Sequence, residues 1–251
     1  MSQADYLNTL KDREVYINNG NSFPAGYTLQ GPAVADYSLE YLSPGNVIYD
    51  DYNGDNKITD ADRQIIGNAY PDFTGGLNTS LSWNGFDLAM GFTYSMGARV
   101  VNFNDYYAYN MEGSGNQYGI VRERYVDESR PGNGYVPRAF RHGNKNTGMK
   151  VCDRYFDHAD YFRMSTASLG YNFPKTLCQR LKVQGIRVYV NGDNLFTITN
   201  YRGFNPEVDQ YNSQGNRTSS ERKSNGNMMP GFDWGSYPIA RVYTFGFRLT
   251  F

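Results

Sequence analysis

RVYTFGFRLTF, residues 241–251, alternates without a break. Tyr243, Phe245, Phe247, Leu249 and Phe251 share one parity, and Val242, Thr244, Gly246, Arg248 and Thr250 the other. Successive side chains of an extended strand point to opposite faces, so the stretch carries one aromatic face and one small or polar face. Chain ends usually fray into small polar residues. A strand with aromatics at every second position asks what that face touches.

Four further stretches alternate in the same way. In residues 75–83, GGLNTSLSW, Leu77, Thr79, Leu81 and Trp83 oppose Asn78, Ser80 and Ser82. Asn84-Gly85 follows, a strong hairpin signal because both turn positions need positive φ. Residues 86–96 then set Phe86, Leu88, Met90, Phe92, Tyr94 and Met96 against Asp87, Ala89, Gly91, Thr93 and Ser95. Ala167, Leu169, Tyr171 and Phe173 oppose Thr166, Ser168, Gly170 and Asn172. Ile186, Val188, Val190, Phe196 and Ile198 oppose Arg187, Tyr189, Asn191, Asp193, Leu195 and Thr197. The expected strands are about 74–83, 86–99, 160–173, 185–198 and 241–251. Each is about ten residues, enough to cross a bilayer at a tilt.

The second face carries Asn78, Asp87, Arg187, Asp193 and Arg248. Packing it dry against another sheet would cost several kcal/mol per unpaired charge. A water-filled lumen removes that cost, which favours an apolar-out, polar-in barrel. Alternation alone equally fits a soluble antiparallel sheet with one solvated face. The connections separate the two readings. Asn84-Gly85 is tight, and the 174–184 link is modest, with room for one short helix in PKTLCQRL. The links 100–160 and 200–240 are long and rich in Gly, Asn, Tyr, Ser and Arg. Long aperiodic loops are uncommon in compact soluble domains, whereas outer-membrane barrels alternate short periplasmic turns with long extracellular loops.

Composition agrees. Hydrophobic residues make up 39% but aromatics 16%, with 23 tyrosines and 27 glycines, a profile of β-barrels and extracellular β-proteins. No run is long and apolar enough for a helical span. With 24 basic against 25 acidic residues, no basic face for nucleic acid is expected. Cys152 and Cys178 read as two separate thiols, with one disulfide as the alternative. The first residues carry no charged-then-apolar signal segment, so the chain is expected either to be cytosolic or to begin within a longer frame.

Residues 51–62, DYNGDNKITDAD, have the spacing of an EF-hand-type loop. Asp51, Asn53, Asp55, Lys57, Thr59 and Asp62 fall at positions 1, 3, 5, 7, 9 and 12. Side-chain oxygens at 1, 3 and 5 wrap a hard cation, position 7 offers a carbonyl, and Ile58 is the apolar anchor. Position 6 is Asn56, which tolerates the left-handed conformation in place of glycine. Position 12 is Asp, as in dockerin-type loops. The sequence thus predicts Ca2+ here; an Asp/Asn turn without metal is the alternative.

Catalytic signals are lacking. His142 and His158 flank Cys152 without an orienting or oxyanion-hole signature. No phosphate loop, CxxC, HExxH or GxSxG occurs. Residues 221–223, ERK, read as a solvated charge run. Tyr106, Tyr107 and Tyr109 could stack on a sugar or a partner protein, or anchor a packed loop. An enzymatic role is not expected.

Four stretches in this order resemble the C-terminal segment of SusC/RagA-type TonB-linked outer-membrane proteins of Bacteroidetes. They are PGNVIYDDYNGDNKITDADRQIIGNAYPDFTGGLNTSLSWNGFDLAMGF (44–92), YFRMSTASLGYNFPKTL (161–177), IRVYVNGDNLFTITNYRGFNPEV (186–208) and DWGSYPIARVYTFGFRLTF (233–251). Residues 1–43 and the 102–150 loop match less clearly. The resemblance implies the last five or so antiparallel strands of a very large transmembrane barrel. Residues 1–73 would form an extracellular loop region and 74–251 the strands with their loops. It implies import of glycans or peptides beneath a SusD-like surface lipoprotein, energised by TonB, in the outer membrane of a Gram-negative bacterium. Tyr243, Phe245, Phe247, Leu249 and Phe251 resemble the signal read by the outer-membrane assembly machinery, and their face would meet lipid. Five strands leave two unpaired edges, so a fragment, a split gene or a truncated gene model is expected. The competing expectation is a soluble or surface-attached calcium-dependent β-domain that binds carbohydrate. The two part on detergent dependence.

Overall fold

The computed structural model describes residues 1–35, 37, 43–109, 111, 115–139, 151–208 and 230–251. Its main element is a five-stranded antiparallel sheet. The strands are β1 (Phe73–Trp83), β2 (Phe86–Met96), β5 (Tyr161–Asn172), β6 (Gly185–Thr199) and β8 (Val242–Thr250), adjacent in that order. The sheet is open, with β1 and β8 as its edges. Among the described residues no helix is long and apolar enough to cross a membrane; a barrel crosses with strands.

The alternation sets the register. Leu77 pairs with Phe92, Leu81 with Leu88 and Trp83 with Phe86 across β1 and β2. Leu88 continues to Leu169, Val190 and the β8 aromatics, where Val188 meets Phe247 and Val190 meets Phe245. One face is therefore apolar from edge to edge, tied by ring contacts such as Phe86–Tyr171 at 4.5 Å and Phe92–Phe162 at 5.4 Å. The first turn takes the expected form: Asn84 has φ 47° and Gly85 φ 89°.

Two features differ from strict alternation. A bulge lies between Gly91 and Phe92 of β2 and between Met164 and Thr166 of β5, leaving Ser165 as the extra residue. It flips the parity of β5, so Phe162 and Met164 stand on the same face as Leu169. The strand expected to run to residue 99 ends at Met96. Gly97 has φ 95° and donates to Asp160 Oδ1 at 2.7 Å, which turns the chain out of the sheet. Beyond it, β3 (Arg99–Asn102) joins a second, three-stranded sheet, antiparallel to β4 (Phe156–His158) and parallel to β7 (Phe232–Asp233).

The short links, 84–85 and 173–184, lie at one end of the main sheet, and the long ones, 97–160 and 200–241, at the other. Helix α3 (Lys175–Arg180) occupies the second short link, as PKTLCQRL suggests. Cys152 and Cys178 are both free thiols.

The chain divides into two compact units, residues 1–66 with 104–155, and residues 67–103 with 156–251. The first contains α1 (Gln3–Asn18), which the sequence reading above does not include. Ser2 caps it, accepting from Asp5 N at 3.1 Å while its own amide donates to the Asp5 carboxylate at 3.0 Å. Within this unit Val34 and Tyr37 form a small core with Tyr6, Tyr16, Phe23 and Leu29 around it. Asp12 of α1 is fully buried and accepts from the Tyr27 hydroxyl at 2.7 Å and the Gly31 amide at 2.8 Å. Burial pushes the Tyr37 hydroxyl well above the ordinary tyrosine range. Helix α2 (Phe103–Ala108) lies in the long 97–160 link.

Candidate functional site

Among the described residues, none forms a layer over the apolar face of the main sheet. Tyr243 is 61% exposed, Phe247 73% and Phe245 and Phe251 each 80%. Leu77, Leu81 and Trp83 at the other edge are also exposed. The five terminal positions singled out in the sequence therefore share one face of β8, with Phe251 directly after the strand. So large a contiguous apolar surface marks a surface built for a nonaqueous neighbour.

The opposite face is polar and carries two ion pairs among the described residues. Arg187 of β6 forms an ion pair with Asp87 of β2, reaching across β5. It passes over Gly170, where a Cβ would lie 2.6 Å from Arg187 Nη2 and 2.7 Å from Asp87 Oδ2. Asn172 Nδ2 adds a 2.9 Å bond to Asp87 Oδ1. Ser168 Oγ donates to Asn191 Oδ1 at 2.7 Å. Toward the long-link end, Arg163 pairs with Glu207, and its Nε donates to Thr197 Oγ1 at 3.0 Å. Tyr161 also donates to Glu207, and Arg163 Nη2 to Asn205 Oδ1 at 3.2 Å. These bonds pin the segment after β6 to the sheet.

A second clasp centres on Asp233, fully buried, which accepts from the Tyr201 hydroxyl, the Ser236 amide at 2.8 Å and the Gly235 amide at 2.9 Å. Sequence reasoning missed both clasps. Their partners lie 32 to 46 residues apart, and Glu207 and Asp233 fall in the long 200–241 link, which has no periodicity.

The oxygen-rich loop lies in the first unit. Asp51 accepts from Gly54 N at 2.8 Å and from Asn56 N at 2.7 Å. Asp55 accepts from Lys57 N at 2.9 Å, and its own amide donates to Asn53 Oδ1 at 2.9 Å. Asn56 takes φ 67°, the left-handed geometry a sixth position requires. Thr59 caps the 3-10 turn Asp60–Asp62, and Asp62 accepts from Thr59 N at 2.6 Å and Tyr52 N at 3.1 Å. These amides, Thr59 foremost, hold the Asp62 carboxyl below the usual aspartate range. Ile58 is buried, and its amide donates to Val34 O at 3.3 Å. The donor set suits a hard cation: carboxylates of Asp51, Asp55 and Asp62, the Asn53 amide oxygen, the Lys57 carbonyl and Thr59. Among the described residues, though, no three His, Cys, Asp or Glu side chains converge at metal-binding distance. The carboxylates instead turn onto the loop's own amides.

The tyrosine cluster divides. Tyr106 packs edge-on against Tyr155 at 5.2 Å and against the exposed Tyr107 at 5.3 Å, whereas Tyr109 lies tilted against Tyr118 at 5.0 Å. His158 ends β4 and Cys152 lies just before the 153–155 turn. His142 and residues 221–223 lie outside the described residues.

This sheet also occurs in known proteins. The chain is 33% identical over 237 residues, 94% of its length, to TonB-dependent receptor P3 of Formosa agariphila. Over 202 residues, 80% of its length, it is 25% identical to TonB-dependent receptor SusC of Bacteroides thetaiotaomicron. This is a SusC/RagA-type barrel segment. It covers 21% of the first receptor and 17% of the second, so it spans about a fifth of the curated relatives it matches. The solved structure of the RagAB peptide importer in the open-open state superposes with a TM-score of 0.55 at 23% identity. That match covers 75% of this chain and 18% of the importer chain. The SusC/RagA-type segment therefore has the fold of part of a large barrel, left open here. No protein-family model matches the chain.

Proposed function

We propose that this SusC/RagA-type segment forms part of the wall of a TonB-dependent outer-membrane receptor that imports glycans or peptides with a SusD-like lipoprotein partner. The observation that carries the reading is the exposed apolar face, continuous across five strands of bilayer-crossing length, backed by a polar face that carries the Asp87–Arg187 and Arg163–Glu207 ion pairs. Lipid covers the first face and lumen water the second. TonB would supply the energy through the receptor as a whole, and the β8 aromatics would be read by the outer-membrane assembly machinery.

The wall needs further strands. In an antiparallel sheet of five, β1 and β8 run in the same direction. A second copy set head to tail would join β8 to β1 in parallel. A copy related by a two-fold axis would send the long links to opposite sides of the bilayer. Antiparallel closure with all long links on one side needs an odd number of strands of another sequence, as a receptor several times longer provides.

The test is semi-native electrophoresis of outer membranes containing the protein. A folded barrel migrates differently before and after boiling. A water-soluble monomer that needs no detergent would overturn the reading. It would favour the second one, a soluble or surface-attached β-domain that binds carbohydrate through calcium, to which the oxygen-rich loop lends support.

We propose further that Asp51, Asn53, Asp55, Lys57, Thr59 and Asp62 bind Ca2+ in either case. Supporting this are the six-position spacing, the left-handed Asn56 and the buried Ile58. Bound calcium would neutralise the loop carboxylates and fix the loop. Calorimetric titration should give a heat of binding that Asp51→Ala abolishes; no heat with the unmodified protein overturns it.

A further inference from the structure

At the tight-turn end, the polar face of the sheet carries an unbalanced positive charge. Arg187 and Arg248 stand directly opposite each other on β6 and β8. Like charges in such positions repel. Asp87 compensates one of them, but it is committed on the β5 side. Its two oxygens take Arg187 and Asn172, and the bond path crosses Gly170, away from β8. Arg187 Nε is buried and makes no hydrogen bond. Among the described residues, no carboxylate forms an ion pair with Arg248. Arg248 also lies on an edge strand, whose outer row of backbone groups is unpaired.

Resting on the receptor reading above, we propose that the strand which pairs with the free edge of β8 presents an Asp or Glu on the polar face, bonded to Arg248. The sheet itself shows the geometry. Asp87 reaches Arg187 from two strands away over a residue without a side chain. A carboxylate on the far side of β8 would give the Arg187–Arg248 pair an acid on each flank. It would also fix the register of the seam, because a one-residue slip moves the acid to the lipid face.

The sign of a stability change decides the matter. The midpoint of barrel unfolding is read by heat modifiability of the receptor in native outer membranes. With a seam carboxylate, Arg248→Gln lowers the midpoint and Arg248→Glu lowers it further, because two acids then face each other. An acid-to-arginine change in the strand adjoining β8 restores the Arg248→Glu protein. Without a seam carboxylate, both changes relieve repulsion against Arg187 and raise the midpoint or leave it unmoved, which overturns the proposal. Rescue from a segment that is not a strand adjoining β8 also overturns it. A wild-type protein with no heat-modifiable form overturns the receptor reading and the seam together, so the two failures are distinguishable.

Discussion

The main sheet and the α1 unit treat their large apolar side chains in opposite ways. In the α1 unit, Tyr37 is 1% exposed and Asp12 and Thr9 are fully buried, with the carboxylate held by the Tyr27 hydroxyl and two backbone amides. In the sheet, Phe245, Phe247 and Trp83 are exposed while Arg163 is buried behind an ion pair. Asp12 in the first unit follows the rule of a water-soluble interior, in which a buried carboxylate is hydrogen-bonded. The second follows the rule of a barrel wall, where apolar side chains wait for lipid and the charges sit on the other face.

The largest expected effect breaks that contrast at its clearest point. Phe247→Arg should destabilise the folded barrel by about 2–4 kcal/mol, the depth-dependent cost of a cation facing hydrocarbon. Thr244→Arg, on the polar face of the same strand, should cost far less. Yields of the heat-modifiable form compare the two. Equal losses would erase the distinction between the faces.

In the α1 unit, Asp12→Ala strands the Tyr27 hydroxyl and the amides of Gln30 and Gly31 without their acceptor. A loss of about 2 kcal/mol should follow, seen as earlier proteolysis between residues 19 and 31. On the polar face of the sheet, Gly170→Ala should cost about 1–2 kcal/mol by wedging apart the Asp87–Arg187 pair. A double substitution that also removes the pair, Asp87→Asn with Arg187→Gln, should absorb most of that cost. The thermal midpoints of the four proteins test this coupling.

Smaller effects sharpen the oxygen-rich loop. Asn56→Ala, at φ 67°, should cost about 1 kcal/mol, and Asn56→Gly little or nothing. Acid should loosen the same loop. The Asp62 carboxyl is held low in the folded state by the Thr59 amide, so its contribution is fully present above the ordinary aspartate range near about 3.9. That contribution is lost as pH falls through the lower folded value. Hydrogen exchange at Thr59, followed through acid, should show a step that Asp62→Asn removes.

Legibility followed the range of the interactions. The strands lie within two or three residues of where alternation places them, because a period of two is a local property of each strand. The Asn84-Gly85 turn was legible for the same reason: two adjacent positive φ values need those residues. Helix α1 was passed over, although Ser2 and Asp5 have the spacing of a capping box. Its inward side mixes Tyr6, Thr9, Asp12 and Tyr16 in place of an apolar stripe, and it is held by tyrosine packing together with the bonds of the buried Asp12.

By itself, then, the sequence determined the strands, the two faces and the family resemblance, since all three rest on side chains read in order along one strand at a time. The tertiary structure alone decided the bulge at Ser165, which carries Phe162 and Met164 onto the face of Leu169. It also decided the Asp87–Gly170–Arg187 bridge and the clasps of Glu207 and Asp233. Each depends on which strand or loop lies beside which. That adjacency is fixed by cross-strand hydrogen bonds between residues as far apart as Val101 and Gly231, and no local pattern records it.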